Sequence, residues 1–156
     1  MTVPAHPGRT LFVSIPVADL ERSKEFFAKL GFSFHPGFTD ETAACMLIGE
    51  GASVMLITHA KFAELSKRPL ADATTHALAL YCFSVASREE VDTVADAALA
   101  AGAVEADGLE DYGFMCSRSF FDLDGHGWQV MWMDPAAARQ GPAEFAASAR
   151  DADVPA

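Results

Sequence analysis

A local pattern that occurs twice limits this chain more than any other feature of its sequence. Leu11-Phe-Val-Ser-Ile-Pro-Val17 reads as a buried strand. Asp19 stands where a helix needs an N-cap, and Leu20–Leu30 reads as a helix ended by Gly31, with Leu20, Phe26, Phe27 and Leu30 able to share one face. The order then returns. Ala77–Val85 is strand-like, Ser87 and Glu90 form a capping-box pattern, and Val91, Val94, Ala95, Ala98 and Leu99 make an apolar stripe closed by Gly102. The two caps lie 68 positions apart and the two glycines 71. Duplication of a βαβββ unit explains this most simply, which makes the expected fold α+β.

Short strands complete each unit: about 32–38, 43–48 and 52–58 in the first, and about 103–106, 114–121 and 127–133 in the second. Lys61–Lys67 reads as a short helix, and Glu110-Asp111-Tyr112-Gly113 as a loop. The expected organisation is a tail over 1–9, a first module over 10–60, a linker over 61–75, a second module over 76–134 and a tail over 135–156. The two modules form one domain. A marginal helix is expected at about 143–150, with the last six residues frayed.

The chain has 156 residues, 51% of them hydrophobic, enough for a core, and a formal net charge of −11. That charge repels phosphate, so nucleic acid and anionic membrane surfaces are excluded as partners. Cys45, Cys82 and Cys116 are an odd number without metal-knuckle spacing and read as small hydrophobes in strands. No stretch reaches the ~20 apolar residues of a membrane span, and the expected location is the cytoplasm.

Several motifs resemble the vicinal-oxygen-chelate superfamily, the glyoxalase/bleomycin-resistance/dioxygenase proteins. Val17-Ala-Asp-Leu-Glu-Arg-Ser-Lys-Glu-Phe-Phe-Ala-Lys-Leu-Gly-Phe32 is similar to its first strand-to-helix signature, and Asp122-Leu-Asp-Gly-His-Gly-Trp-Gln129 to its last hairpin. With Asp111-Tyr-Gly-Phe-Met115 and Trp128-Gln-Val-Met-Trp-Met-Asp134, the chain resembles a bacterial group labelled predicted lactoylglutathione lyases. The resemblance implies two βαβββ modules forming a cupped mixed sheet around a cavity. It also implies a divalent metal there, held by one His or Glu from each of four strands and acting as a Lewis acid.

Carried over to this chain, those four positions are Phe12, Leu56, Leu80 and Gln129. Three hydrocarbons and one neutral amide do not make a site for a divalent metal, which needs carboxylate or imidazole. A slip of one residue offers only Leu11, Val13, Met55, Ile57, Ala79, Tyr81, Trp128 or Val130. No metal is therefore expected at the family site, and nickel, zinc, iron or manganese only at a non-standard one. Strand alternation adds Ser14, Thr58, Cys82 and Met131 to Phe12, Leu56, Leu80 and Gln129 as the expected cavity lining. Such a lining suits a small molecule, or it fills a collapsed cavity.

The histidines show no cluster, though His59 and His76 fall where the ends of the modules could approach. Asp122 and Asp124 bracket a turn and are expected to bond their own backbone. Arg118 either reaches the cavity mouth to grip an anionic group or pairs with a nearby carboxylate, and Tyr112 is placed to close over a ligand. Trp128 and Trp132 read as packing against a helix rather than stacking on a ligand.

Three functions remain open at this point. The first is a metal-independent small-molecule-binding protein of the resistance type. The second is a glyoxalase-type lyase or isomerase, using a non-standard metal site or metal-free proton transfer through Tyr112, Arg118 or Gln129. The third is a structural or interaction module with a filled cavity. A homodimer is compatible with each.

Overall fold

β1 (Leu11–Val17) leads into α1 (Leu20–Lys29) through Asp19, whose side chain accepts from the Arg22 N–H. The polypeptide, a computed structural model describing residues 6–141, 143–144 and 147, continues through β2 (Ser33–Phe34), a 3-10 turn (Pro36–Phe38), β3 (Ala43–Gly49) and β4 (Ala52–Thr58). These strands form a sheet in the order β1-β4-β3-β2, with β1 parallel to β4 and the other pairs antiparallel. After α2 (His59–Ser66) the plan repeats with β5 (Leu80–Ser84), α3 (Arg88–Ala100), β6 (Val104–Asp111), β7 (Met115–Phe121) and β8 (Gly127–Met133). The second sheet has the order β5-β8-β7-β6, with β5 parallel to β8. Two sheets of identical topology, neither closed, are what a duplicated βαβββ unit builds.

The chain divides into two compact units. One takes in the residues up to Leu78 together with Leu123–His126, so the turn of the last hairpin goes with the first unit. The other is Ala79–Asp122 with the chain from Gly127 on. In the first, α1 packs on β3 and β4, and Phe26, Phe27, Ile15, Val17, Met46 and Leu56 are buried. In the second, α3 packs on β7 and β8, and Val91, Val94, Ala95, Ala98, Phe120, Trp128 and Val130 are buried. Each large side chain so buried contributes about 1.5–3 kcal/mol.

The caps and stops work as the sequence indicates. Ser87 accepts from the Glu90 N–H, and the Glu90 carboxylate reaches back to the Ala86 N–H, one residue before the usual capping-box donor. Gly31 and Gly102 take φ of 96° and 107°, the left-handed region that ends a helix cheaply only with glycine.

Three elements differ from expectation. The strand expected at 32–38 is two residues long, because Pro36 starts a 3-10 turn at which His35 Nδ1 accepts from the Gly37 N–H. Residues Glu110 and Asp111, expected in a loop, end β6, which runs eight residues instead of about four. The helix after Thr58 starts two residues early, since the Thr58 hydroxyl caps it by accepting from Lys61 N–H. A short α4 (Pro135–Gln140), capped by Asp134, lies in the expected tail. The helix expected at about 143–150 falls largely outside the described residues.

Candidate functional site

Residues opposite one another in a ladder project to the same side of a sheet, so the register sorts the side chains. In the second sheet, Tyr81, Phe83, Cys116, Arg118, Phe120, Trp128 and Val130 share the face that α3 covers. The opposite face carries three rows running across the strands. The first is Val104, Phe121, Gly127 and Leu80. The second is polar: Asp107, Ser119, Gln129 and Cys82. The third is Glu110, Ser117, Met131 and Ser84.

A cavity of about 240 Å³ opens on this face, with Leu80, Asp107, Glu110, Ser119, Phe121 and Gln129 in its lining. Among the described residues no Lys or Arg lines it. Gln129 is oriented by donating from Nε2 to Ser117 Oγ at 3.2 Å. Gly127 has to be small, because a Cβ there would stand 3.1 Å from the Leu80 side chain. β6 shifts register on both sides of Asp107, the kind of bulge that re-aims side chains at the rim of a sheet. Its charges also blunt an edge strand that is exposed throughout.

The first sheet corrects one expectation. Leu56 and Thr58 were expected beside Phe12 and Ser14, yet β4 pairs so that Leu56 lies opposite Ile15 and Ala44, on the buried face, while Phe12 lies opposite Ser53 and Ser14 opposite Met55. The pairing of the second module, Cys82 opposite Gln129, corresponds to Ser14 opposite Met55 in the first. The position matching Gln129 is therefore Met55, one residue before Leu56. Ser53-Val-Met-Leu-Ile-Thr58 is apolar on both faces, so alternation could not reveal the register.

The remaining candidates are placed as follows. Arg118 lies on the α3 side, where its guanidinium donates to Asp96 at 2.7 Å, Asp92 at 3.1 Å and Glu105 at 3.2 Å. The hydrogen bond to Asp96 above all, opposed by desolvation and aided by Glu105 and Asp92, raises its pKa further. The carboxylate-pairing alternative is the one the geometry realises. Tyr112 is exposed in the β6–β7 turn. That turn is held by Asp111, which accepts from the Gly113 N–H and pairs with Arg88; Arg88 also donates to Gly113 O and stands 5.3 Å above the Trp132 ring. Cys82 is exposed, and desolvation raises its thiol pKa, the reverse of what activates a nucleophile.

Both turn carboxylates bond partners outside the backbone of their own turn. Asp122 accepts from the Trp128 indole N–H at 2.9 Å within the core, and Asp124 accepts from Ala18 N–H at 2.8 Å and the Ser23 hydroxyl at 3.3 Å. The bonds of Asp124, to residues more than 100 positions away, leave no sign in local sequence. Trp128 packs beside Tyr81 and Phe83. His76 bonds Thr75, and among the described residues no group of three or more His, Cys, Asp or Glu could hold a metal. Asp107 and Ser119 were not singled out by sequence; reading 104–111 as a charged edge strand would have found Asp107.

Residues 9–49 match a family model described as bleomycin resistance protein-like N-terminal. Solved structures match most of the chain. A hypothetical protein from S. aureus has 26% identity and a TM-score of 0.68, covering 82% of this chain and 95% of its own. A glyoxalase/bleomycin resistance protein/dioxygenase family enzyme from Burkholderia phytofirmans has 16% identity and a TM-score of 0.65, covering 78% of this chain and 96% of its own. The fosfomycin resistance protein FosX from Mesorhizobium loti has 15% identity and a TM-score of 0.61, covering 86% of this chain and 99% of its own. No curated protein matches.

The fold is that of the glyoxalase/bleomycin-resistance/dioxygenase proteins. The family model and the folds thus agree with the motifs on the vicinal-oxygen-chelate superfamily.

Against that superfamily's metal, the donor set does not fit. The first module offers Phe12 and Met55, and the second Leu80 and Gln129. A thioether is a soft, weak ligand and a carboxamide a neutral one, whereas divalent Ni, Zn, Mn or Fe(II) at such positions requires imidazole or carboxylate.

Proposed function

We propose that this chain is a small-molecule-binding protein of the resistance type, holding its ligand on the open face of the second sheet without the family's metal. The observation that carries this reading is the polar row Asp107–Ser119–Gln129–Cys82 beside the apolar row at the cavity, with Gln129 and Leu80 at positions where a metal-dependent relative needs ligands. A few polar groups in a mainly apolar hollow is the usual composition of a small-molecule site. Asp107 and Glu110, with no Lys or Arg among the described residues of the lining, favour a ligand with a positive charge and an apolar body. The bleomycin resistance-like family match supports the same reading.

A glyoxalase-type lyase or isomerase is less well supported, since Arg118 is engaged by three carboxylates on the other face of the sheet. The filled-cavity module is disfavoured by the cavity itself. Leu80 and Val104, 81% and 63% exposed, together with the edge strand β5, suit a homodimer. No helix among the described residues is long and apolar enough to cross a membrane, and a cytoplasmic place is part of the proposal.

Calorimetric titration of the chelator-treated protein with metal-free bleomycin, a cation, and with fosfomycin, an anion, tests the reading. Saturable binding of bleomycin alone, weakened at least about tenfold by Ser119→Trp, is the expected result. Absence of binding by both, or binding only after metal is added, would overturn it.

A further inference from the structure

The first unit holds a larger cavity that the sheet face does not explain. Its roof is the 70–74 segment, which presses on the last hairpin at backbone contact: a Cβ on Gly125, whose φ is +88°, would stand 2.8 Å from Ala73 O and 2.9 Å from Thr74 Cα. Only glycine fits that approach. The hairpin is in turn tied to the end of β1. His126, 6% exposed, donates from Nε2 to Pro16 O at 2.8 Å, and Asp124 binds the Ala18 N–H and the Ser23 hydroxyl.

Between these walls lies a cavity of about 390 Å³. That is within the roughly 300–1,000 Å³ of small-molecule sites. Pro16, Ala18, Leu70, Ala71, Ala73 and Leu123 give it apolar surface, and its polar groups come from His59, His126, Asp72, Thr74 and Asp124. Among the described residues no Lys or Arg lines it. Asp72 is fixed by accepting from the Thr74 hydroxyl at 2.6 Å and the Thr74 N–H at 2.9 Å; these bonds lower its pKa and keep it ionised at neutral pH.

We infer that this cavity is a second ligand site, for a small organic ammonium ion with a compact apolar body. The hydrocarbon part meets proline, leucine and alanine, while the ammonium hydrogens meet carboxylate and imidazole acceptors. An anion of the same shape faces two carboxylates, with no Lys or Arg among the described lining residues to offset them. The two cavities have no lining residue in common, so either site can fail without the other.

Nuclear magnetic resonance of the full chain tests the inference with three probes of one shape: cyclohexylammonium, cyclohexanol and cyclohexanecarboxylate. The expected result is saturable shifts of the His59 and His126 ring signals and the Thr74 amide with the ammonium probe. The alcohol binds about tenfold more weakly, and the carboxylate does not bind. Asp72→Asn keeps an oxygen for Thr74 and the thermal midpoint, and weakens the ammonium probe about tenfold. Ser119→Trp, on the sheet face, leaves it unchanged. Equal binding of the three probes, shifts confined to the second sheet, or no saturation up to about 50 mM would overturn the inference.

Discussion

The two modules have one topology, one strand order and the same cap-and-glycine punctuation, yet their open faces have diverged. In the second sheet the rows beyond Leu80 are hydroxyl, amide, thiol and carboxylate but for Met131, and the carboxylates come from an eight-residue β6. In the first, the matching β2 is two residues long, and the rows hold Phe12, Leu47, Met55, Ile57 and the buried Cys45, with the hydroxyls of Ser14 and Ser53 among them. The frame is set by helix caps and core stripes, which tolerate little change. The other face is free to take up carboxylates and an amide in one copy and to stay mainly apolar in the other, and that difference is why the proposed ligand site is put in the second module.

The largest expected effect tests the register on which this comparison rests. Leu56→Ala removes a fully buried side chain and should cost about 2–5 kcal/mol in denaturant unfolding. Leu80→Ala, at an exposed position, should change stability by no more than about 0.5 kcal/mol. Similar costs at the two positions would mean that the faces are wrongly assigned. Arg118→Met should cost about 1–3 kcal/mol, because three partly exposed carboxylates lose one shared cation, a loss that solvent screening moderates. Bleomycin affinity should stay unchanged in this variant, whereas its loss would return Arg118 to the binding site.

A smaller effect concerns the β6–β7 turn, which the first module lacks. The Gly113 N–H, and then Arg88, lower the Asp111 pKa in the folded chain. A depressed carboxylate stabilises the fold fully above its ordinary value of 3.8, and the contribution is lost as pH falls through the lower folded value. The Gly113 amide signal should therefore move only below pH 3.8. Movement near or above 3.8 would show that the turn is not held by Asp111.

Most of the frame was legible in the sequence because it is written locally. Asp19, Ser87, Gly31 and Gly102 act on residues three or four positions away, and the α3 stripe repeats at helical spacing. What was not legible depends on distance or on missing contrast. Asp124 acts on Ala18 and Ser23, more than 100 positions away in sequence. The face of β4 was hidden by a run apolar on both sides. β6 was read as a strand only to about 106, with Glu110 and Asp111 in a loop, because acidic residues look like turn chemistry, while an exposed edge strand accepts them. The ligand-poor metal positions were visible early, and replacing Leu56 by Met55 leaves that conclusion intact.

The central claim is that this fold binds its ligand without the family's metal. Its most direct test is calorimetric titration of chelator-treated protein with nickel, zinc, cobalt, manganese and iron(II), followed by bleomycin titration with and without each metal. No stoichiometric metal binding at micromolar concentration, with bleomycin affinity unchanged by metal, is the predicted result. One tightly bound metal per chain, accompanied by a gain in bleomycin affinity, would contradict the account.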